Sequence, residues 1–493
     1  MGKRQSLPRH RSTLVRPLRI LFLTAEASPL AKVGGLGDVG GELPRALRRL
    51  GLDVRCGLPR YASIDVRAAG PRRSLSVPRG AVTVPAFLQR KSVRGVPFLL
   101  IDGEPIARDR GIYGGGAAEG EKFIFWSLAA LLACRELRWA PDIVHAHDWH
   151  AAAAVAWVAR QRESDPFWTR VATVQTVHNL GYAGAEAQES WRAYNLPLAE
   201  GRDVPDWAQA LALAAGLSRA DLVTTVSPSY ASEIMSPDSG FGLDPILNAR
   251  DEPPVGILNG IDATVWNPAR DRALPARYDI EHLDRRARNK AALLSELGFE
   301  GEAGWPLLAF IGRLEHHKGV DLLLQALATM LDAPWRSVLL GTGHPELEAM
   351  ARAFEQGHPG RFRFRNGFDE ALSRRLYGSA DFVVVPSRYE PCGLVQMIGM
   401  RYGAVPIVRA TGGLRDTVTD FAAGGGTGFV FEDPSAQALA AAIRRALDLR
   451  ARPGAWRALQ RRGMRRNHSW DRSAPRYLSL YRRAVRLRGG PRT

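Results

Sequence analysis

Short apolar runs alternate with helical stretches along most of the chain. Each run ends in glycine or a polar turn, and they fall at residues 18–24, 143–146, 171–177, 222–226, 307–311, 337–340, 361–364, 382–385 and 406–408. This alternation is typical of parallel strands joined by crossover helices. The pattern predicts an α/β fold with two Rossmann-like domains that face each other across a cleft, with ligands bound at the carboxyl ends of the strands.

A hinge is predicted where this pattern stops. Residues 267–288 are rich in Pro, Arg and Asp and have no clean apolar period. We therefore expect an N-terminal domain over residues 20–266 and a C-terminal domain over residues 289–465. The length of 493 residues exceeds one ordinary core, which also favours two domains.

Positive charge is concentrated at the two ends of the chain. The net charge is +17, but residues 1–19 carry six Lys or Arg and no acid, and residues 444–493 carry sixteen Arg against two acids. The body between them is close to neutral, which argues against a nucleic-acid partner. We expect residues 1–19 to be a disordered basic tail rather than a transit peptide, and residues 466–493 to end in a second basic tail.

Cysteine usage and hydropathy both fit a protein of the cytoplasm. Cys56, Cys134 and Cys392 have neither the even number of a disulfide framework nor the spacing of a zinc site. No apolar run approaches the roughly 20 residues that a membrane span needs. We expect a soluble, cytoplasmic protein without a membrane partner.

The first loop combines a lysine with glycines. Lys32-Val-Gly-Gly-Leu-Gly-Asp-Val follows the first apolar run and opens a helix. Glycines let backbone N–H groups approach phosphate, while the helix dipole and an ammonium group favour anions. Lys32, Gly34 and Gly35 are therefore candidate phosphate-binding residues, and a turn that only packs helix against strand is the alternative. The run lacks the spacing of dinucleotide-binding and Walker loops, so NAD and ATP have little support.

Histidines follow the next two runs. Residues 145–150 read His-Ala-His-Asp-Trp-His, which would spread the imidazoles over a strand end and a turn, so we do not expect a metal site there. His178 ends the following strand beside an asparagine. It suits a hydrogen bond to a sugar hydroxyl, with a hydrogen-bonded core histidine as the alternative.

The second half places two cations and one acid after strands. Arg313 and Lys318 lie five positions apart at a strand-to-helix turn, where both could stabilise one leaving diphosphate in place of a metal. Glu390 lies at a later turn, just before backbone N–H groups that could hold phosphate or ribose. A single acid argues against hydrolysis by paired carboxylates. Solvated charges at a helix start, and helix capping by Glu390, are the alternatives.

Taken in order, these motifs resemble the bacterial glycogen synthase and starch synthase family of the ADP-glucose type. The matching runs are KVGGLGDV at Lys32, HDWHA at His147, TVHNLGY at Thr176, TTVSPSYASEI at Thr224, ILNGIDATVWNP at Ile257, GRLEHHKGVDLL at Gly312 and PSRYEPCGLVQMIGMRYGAVPIVRATGGLRDTV at Pro386. The resemblance implies the two-domain GT-B fold, with the acceptor on the N-terminal domain, the nucleotide-sugar on the C-terminal domain, and a C-terminal helix that returns to the first domain.

The resemblance also implies the reaction and its residues. Glucose would pass from ADP-glucose, with UDP-glucose as the alternative donor, to an α-1,4-glucan with retention of configuration, and no metal or other cofactor would be needed. The catalytic residues would be Asp148, His178, Arg313, Lys318 and Glu390. The nucleotide-sugar would contact Lys32, Gly34, Gly35, Asn259, Phe368, Cys392, Gly393 and Leu394, with the Phe368 ring stacked on adenine.

Two departures from the family pattern keep alternatives open. Glu315-His316-His317 stands where Thr or Ser and then Gln are usual, and it puts an extra anion beside the diphosphate site. Val395 stands where a Thr hydroxyl usually follows Glu-Pro-Cys-Gly-Leu. The alternatives are transfer to another acceptor, such as a sugar phosphate or a different glycan, and a catalytically weak glucan-binding protein.

Overall fold

The computed structural model describes residues 16–109, 111–300 and 304–489. Most of the basic tail expected at the N terminus, residues 1–15, lies outside these residues, as do the last four residues. No helix within the described residues has the length and apolar character needed to cross a membrane.

The described residues form two sheets. The strands are β1 (Arg19–Leu23), β2 (Asp53–Pro59), β3 (Arg73–Arg79), β4 (Val82–Val93), β5 (Val96–Gly103), β6 (Ile143–His147), β7 (Ala172–Val177), β8 (Leu222–Thr225), β9 (Val255–Gly256), β10 (Leu307–Ile311), β11 (Arg336–Gly341), β12 (Phe362–Asn366), β13 (Phe382–Val385), β14 (Val405–Arg409) and β15 (Phe429–Phe431). The first sheet has the order β3-β4-β5-β2-β1-β6-β7-β8-β9 and the second β12-β11-β10-β13-β14-β15.

Helices cover these sheets and connect their strands. They are α1 (Gly35–Arg49), α2 (Glu104–Arg108), α3 (Gly116–Glu136), α4 (Ala152–Gln161), α5 (Gln188–Ala193), α6 (Ala212–Arg219), α7 (Pro228–Glu233), α8 (Asp244–Asn248), α9 (Arg286–Glu296), α10 (Val320–Ala328), α11 (Pro345–Gly357), α12 (Glu370–Ser379), α13 (Val395–Arg401), α14 (Gly412–Thr417), α15 (Ala436–Arg450), α16 (Pro453–Arg465) and α17 (Trp470–Leu487).

The predicted architecture of two α/β domains is confirmed. Every apolar run named above contains a strand, and these strands pair in parallel within their sheets. The first sheet also has an antiparallel extension, β3-β4-β5, which the sequence pattern did not indicate. The predicted hinge, residues 267–288, lies between β9 and the start of α9, and its boundaries stay a prediction.

The last helix crosses back to the first domain, as expected. Trp470, Tyr477 and Tyr481 of α17 are buried in the same apolar cluster as β1 and β2 side chains. Ile261 pairs with Ser469 just before α17, and the hydroxyl of Tyr481 hydrogen-bonds Nδ1 of His145 at 2.8 Å. The helix therefore packs under the strand that leads to the candidate site.

Candidate active site

A cavity of about 680 Å³ lies between the two domains. Its first wall is made by loops that follow β1, β6 and β7, and its second wall by loops that follow β10 and β13. These are carboxyl ends of parallel strands, where open α/β sheets bind ligands, and the volume suits a small molecule.

Lys318 and Glu390 form an ion pair on the second wall. The Lys318 ammonium group donates to both carboxylate oxygens of Glu390, at 2.9 and 2.7 Å. The Ser387 hydroxyl donates to the same carboxylate at 2.9 Å. Both charged side chains are largely buried, so the pair is screened less by solvent than a surface pair would be. The structure thus joins two residues that are 72 positions apart and were predicted separately.

The turn that carries Lys318 is tied to the loop that carries Glu390. The backbone N–H of Arg388 donates to the His317 carbonyl at 2.7 Å. Gly319 has φ +70°, and a side chain there would place Cβ 2.3 Å from the Pro386 carbonyl oxygen. Only glycine satisfies both the left-handed conformation and the close approach. This contact sets the distance between the two charged groups.

Arg313 is more exposed than Lys318 and lies beside Glu315. Its guanidinium Nη1 is 3.7 Å from Oε1 of Glu315, whose other oxygen is 3.1 Å from Nε2 of His344. Burial lowers the pKa of the nearby His317 to about 4, and its imidazole lines the cavity next to Lys318. At neutral pH the positive charge on this wall therefore comes from Arg313 and Lys318.

On the first wall, Glu26 organises the glycine loop. One of its carboxylate oxygens accepts the N–H groups of Val33 and Gly34, at 2.6 and 2.8 Å, and the other accepts the Tyr113 hydroxyl at 2.6 Å. Gly34 and Gly35 both line the cavity. Lys32 is not among the lining residues, but its ammonium group pairs at 2.6 Å with Asp38, which does line the cavity.

Asp148 and His178 meet at the base of the first wall. The Asp148 carboxylate accepts the backbone N–H of His178 at 2.6 Å, and burial raises its pKa to about 7. Burial lowers the pKa of His178 to about 3, so its imidazole is neutral. Nε2 of His178 lies 2.8 Å from Nδ1 of His147. A neutral imidazole held in this way can donate a hydrogen bond to a hydroxyl group or accept one from it.

The histidines of residues 145–150 do not converge on one point. His145 bonds Thr176 and Tyr481, whereas the His150 ring packs against Phe123 and Trp149. Within the described residues, ligand atoms close enough to hold a metal ion occur in one group, His316, His344 and Glu346. That group is exposed and does not line the cavity.

The remaining residues predicted to bind the nucleotide-sugar fall into two sets. Asn259, Cys392, Gly393 and Leu394 all line the cavity. Cys392 is buried, and that burial raises the pKa of its thiol to about 12, so it is a neutral packing group. Phe368 is 83% exposed and lies outside the lining, and its contact with adenine stays a prediction.

Several cavity residues were not predicted as site residues. Glu26, Tyr113, Glu119, Trp149, Tyr182 and His317 all line the cavity. Glu26 had a usable signal, because it is an acid that closely follows the first apolar run, and the structure buries it almost completely. Tyr113 had none, because its partner is 87 positions away.

Comparison with known proteins places this geometry in a family. Residues 19–249 match the family described as "Starch synthase catalytic domain", and residues 301–462 match "Glycosyl transferases group 1". The glycogen synthase of Anaeromyxobacter sp. (strain Fw109-5) is 43% identical over 477 residues, which cover 94% of this chain and 99% of that protein. The chain belongs to the glycogen and starch synthase family. It is therefore a glycosyltransferase.

Other relatives agree with this family assignment. The glycogen synthase of Moorella thermoacetica is 39% identical over 96% of this chain and 98% of that protein. The catalytic domain of starch synthase IV from Arabidopsis thaliana, solved bound to ADP and acarbose, superposes with a TM-score of 0.87 at 31% identity, over 95% of this chain and all of that one. Sucrose-phosphate synthase from Thermosynechococcus elongatus, at 20% identity and a TM-score of 0.63, shares the fold.

Proposed function

We propose that this family member is a retaining, metal-independent glucosyltransferase that extends an α-1,4-glucan by transfer of glucose from ADP-glucose, in the cytoplasm. The observation that carries the proposal is the bidentate Lys318–Glu390 pair beside Arg313, in a cavity closed by both domains. The Arabidopsis relative was solved bound to ADP and acarbose, which supports a nucleotide and a glucan-like ligand for this chain.

The donor would enter with its diphosphate toward the second wall. Arg313 and Lys318 would face the phosphate oxygens and stabilise the negative charge that develops as ADP leaves, which is the contribution a metal ion makes in other transferases. Because Lys318 holds both oxygens of Glu390, a shift of the ammonium toward phosphate would free carboxylate oxygens for the glucose hydroxyls.

The reacting glucose would lie between the two walls. The neutral imidazole of His178 would bond a glucose hydroxyl, and the backbone N–H group of Gly35 would face the donor from the first wall. The N–H of Gly34 is already bonded to Glu26, so Gly34 would contact the donor through the rest of its backbone. Asp148, with its pKa raised to about 7, would lie on the acceptor side. In a retaining, front-face reaction the leaving diphosphate would accept the proton of the incoming glucan hydroxyl, so no enzyme nucleophile is needed.

The test is a donor and acceptor assay on the purified chain. Protein is incubated with glycogen and either ADP-glucose or UDP-glucose, and both nucleotide release and glucan lengthening are measured. We expect lengthening with ADP-glucose at the higher kcat/KM. Absence of lengthening with either donor would contradict the proposal, and nucleotide release that requires a different acceptor would redirect it to another glycan or sugar phosphate.

A further inference from the structure

Three exposed aromatic side chains lie on the first domain beside the cavity. Tyr182, Trp207 and Phe241 are 50%, 57% and 52% exposed, although large aromatic rings are usually buried. Tyr182 lines the cavity and lies on the same loop as His178. Exposed apolar surface of this kind marks binding sites more often than it occurs by accident.

The three rings form a continuous strip. A side chain at Gly181, next to Tyr182, would place Cβ 3.5 Å from the Phe241 ring. A side chain at Gly242, next to Phe241, would place Cβ 2.7 Å from Cζ2 of Trp207. The strip therefore runs from the cavity through Phe241 to Trp207, and the two glycines let each ring lie against the neighbouring backbone.

Phe241 is held in a conformation that its side chain does not favour. Its φ is +51°, in the left-handed region where bulky residues are rare. Its ring contacts Tyr389 edge to face, with the centroids 5.6 Å apart, and Tyr389 directly precedes Glu390. An exposed aromatic ring in an unfavourable backbone conformation, fixed by a neighbour of the site, points to a role in binding.

We propose that Tyr182, Phe241 and Trp207 form an acceptor strip that stacks the glucose units of an α-glucan chain behind the unit being extended. The carbon-bound hydrogens of a pyranose ring make an apolar face, which packs on an aromatic ring much as one ring edge packs on another. The strip presents three uncharged rings, which suits a neutral glucan. This inference rests on the proposed function, because it assigns the acceptor of the same site.

The experiment separates long from short acceptors. Trp207→Ala and Phe241→Asn are compared with the wild type, and asparagine is chosen because it tolerates a positive φ. We expect KM for glycogen to rise about tenfold, the equivalent of one lost stacking contact, while KM for maltotriose and for the donor stay within about twofold. Unchanged KM values for glycogen in both variants would overturn the proposal.

A binding assay gives a readout that does not depend on catalysis. Each protein is run on native gels that contain glycogen, without any donor. We expect the glycogen-dependent retardation of the wild type to fall in both variants and to persist in Leu331→Ala, which removes an exposed apolar side chain from the other domain. Equal retardation of all four proteins would overturn the proposal that the strip binds glucan. If the wild type binds through the strip but extends no glucan, the proposed function fails while the strip stands.

Discussion

Lys318 and Glu390 neutralise each other in the structure, and this sets what each substitution should do. Removing Lys318 leaves a largely buried carboxylate without its ammonium partner beside the proposed diphosphate position, and removing Glu390 leaves an ammonium group without its carboxylate partner. Either change disturbs charge at the point where the leaving group develops its own.

We predict that Lys318→Ala and Glu390→Ala each lower kcat by roughly two orders of magnitude or more, as the loss of one transition-state contact does elsewhere. The measurement is steady-state nucleotide release with glycogen as the acceptor. Lys91→Ala, an exposed lysine on β4, is the matched control and should retain its rate. Wild-type turnover in either site variant would remove that residue from the catalytic machinery.

Glu315 should weaken donor binding through Arg313. Its carboxylate lies 3.7 Å from the guanidinium and competes with phosphate for it. Because Arg313 is half exposed, solvent screens the interaction and the effect is modest. We predict that Glu315→Gln lowers KM for the donor by about twofold to fivefold at low salt, and less at high salt.

The control for that prediction is Glu346→Gln, which removes a more exposed carboxylate whose partner is His316. We expect its KM for the donor to match the wild type. A rise in KM for Glu315→Gln would show that the carboxylate orients Arg313 instead of competing for it.

Site residues that follow directly on strands could be predicted from the sequence, because the fold brings strand ends together. Arg313, Lys318, Glu390 and His178 are of this kind, and the structure collects all four around one cavity. The direction of the Lys32 side chain could not be predicted, since it depends on an ion pair with Asp38 that spacing alone does not reveal.

At the scale of elements, α17 supports the strand below the active site. Tyr481 is fully buried, and its hydroxyl bonds His145, the central residue of β6, three positions before Asp148. We predict that Tyr481→Ala costs about 3–5 kcal/mol of unfolding free energy through the cavity it leaves. Tyr481→Phe should cost about 1 kcal/mol, because it removes only the hydrogen bond.

Urea unfolding of the first domain, followed by circular dichroism, measures both variants. The loss of unfolding free energy in the phenylalanine variant measures the bond to His145. The additional loss in the alanine variant measures the packing of the ring. Equal stability of the alanine variant and the wild type would mean that α17 does not stabilise the first domain.

Strands buried on both faces were predictable, whereas edge strands were not. A parallel strand under helices is a continuous apolar run, and each such run in the sequence became a strand. β4 instead exposes many of its side chains and carries a lysine and an arginine, so its sequence resembles a polar loop. β2 was not predicted from the sequence, because Arg55 and Gly57 interrupt its apolar run.

At the scale of the whole molecule, polar contacts join the domains at one side of the cavity. The Ser227 hydroxyl donates to the Pro391 carbonyl at 2.6 Å, Ser229 donates to Asp416, and the Gly412 N–H donates to Glu233 at 2.8 Å. The first contact reaches Pro391, the neighbour of Cys392, and the other two reach α14, whose Gly413 lies against the backbone of Cys392. The position of the second wall of the cavity therefore depends on how the first domain is folded.

That dependence makes the pH response of the first domain important for the whole enzyme. Burial lowers the pKa of His145, His150 and His178 to about 3 each, and the pKa of His147 lies well below its usual value. In the unfolded chain these imidazoles titrate near pH 6.5. Between about pH 6.5 and pH 3, unfolding therefore takes up protons, and the stability of the folded state falls as the pH falls.

Asp148 acts in the opposite direction. Its pKa is about 7 in the folded state, against an ordinary value of 3.8, so the folded state binds a proton between these values that the unfolded state does not. Burial also raises the pKa of Asp38, Glu42 and Glu119, which adds to the effect of Asp148. The unfolded imidazoles titrate near pH 6.5, above the ordinary range of carboxyl groups, so between pH 6.5 and pH 5 the net effect is a loss of stability as the pH falls. Each fully titrating imidazole contributes up to about 1.4 kcal/mol per pH unit.

We predict that the unfolding midpoint falls steeply between pH 6.5 and pH 5, and that His147→Gln makes this fall less steep by about one proton. Thermal unfolding in matched buffers at pH 7.5, 6.5, 5.5 and 5 measures the slope. His282→Gln, an exposed histidine paired with Asp279, is the control and should leave the slope unchanged. A midpoint that stays constant over this range would mean that the buried histidines are protonated in the folded chain, and the neutral imidazole assigned to His178 in glucose binding would then be wrong.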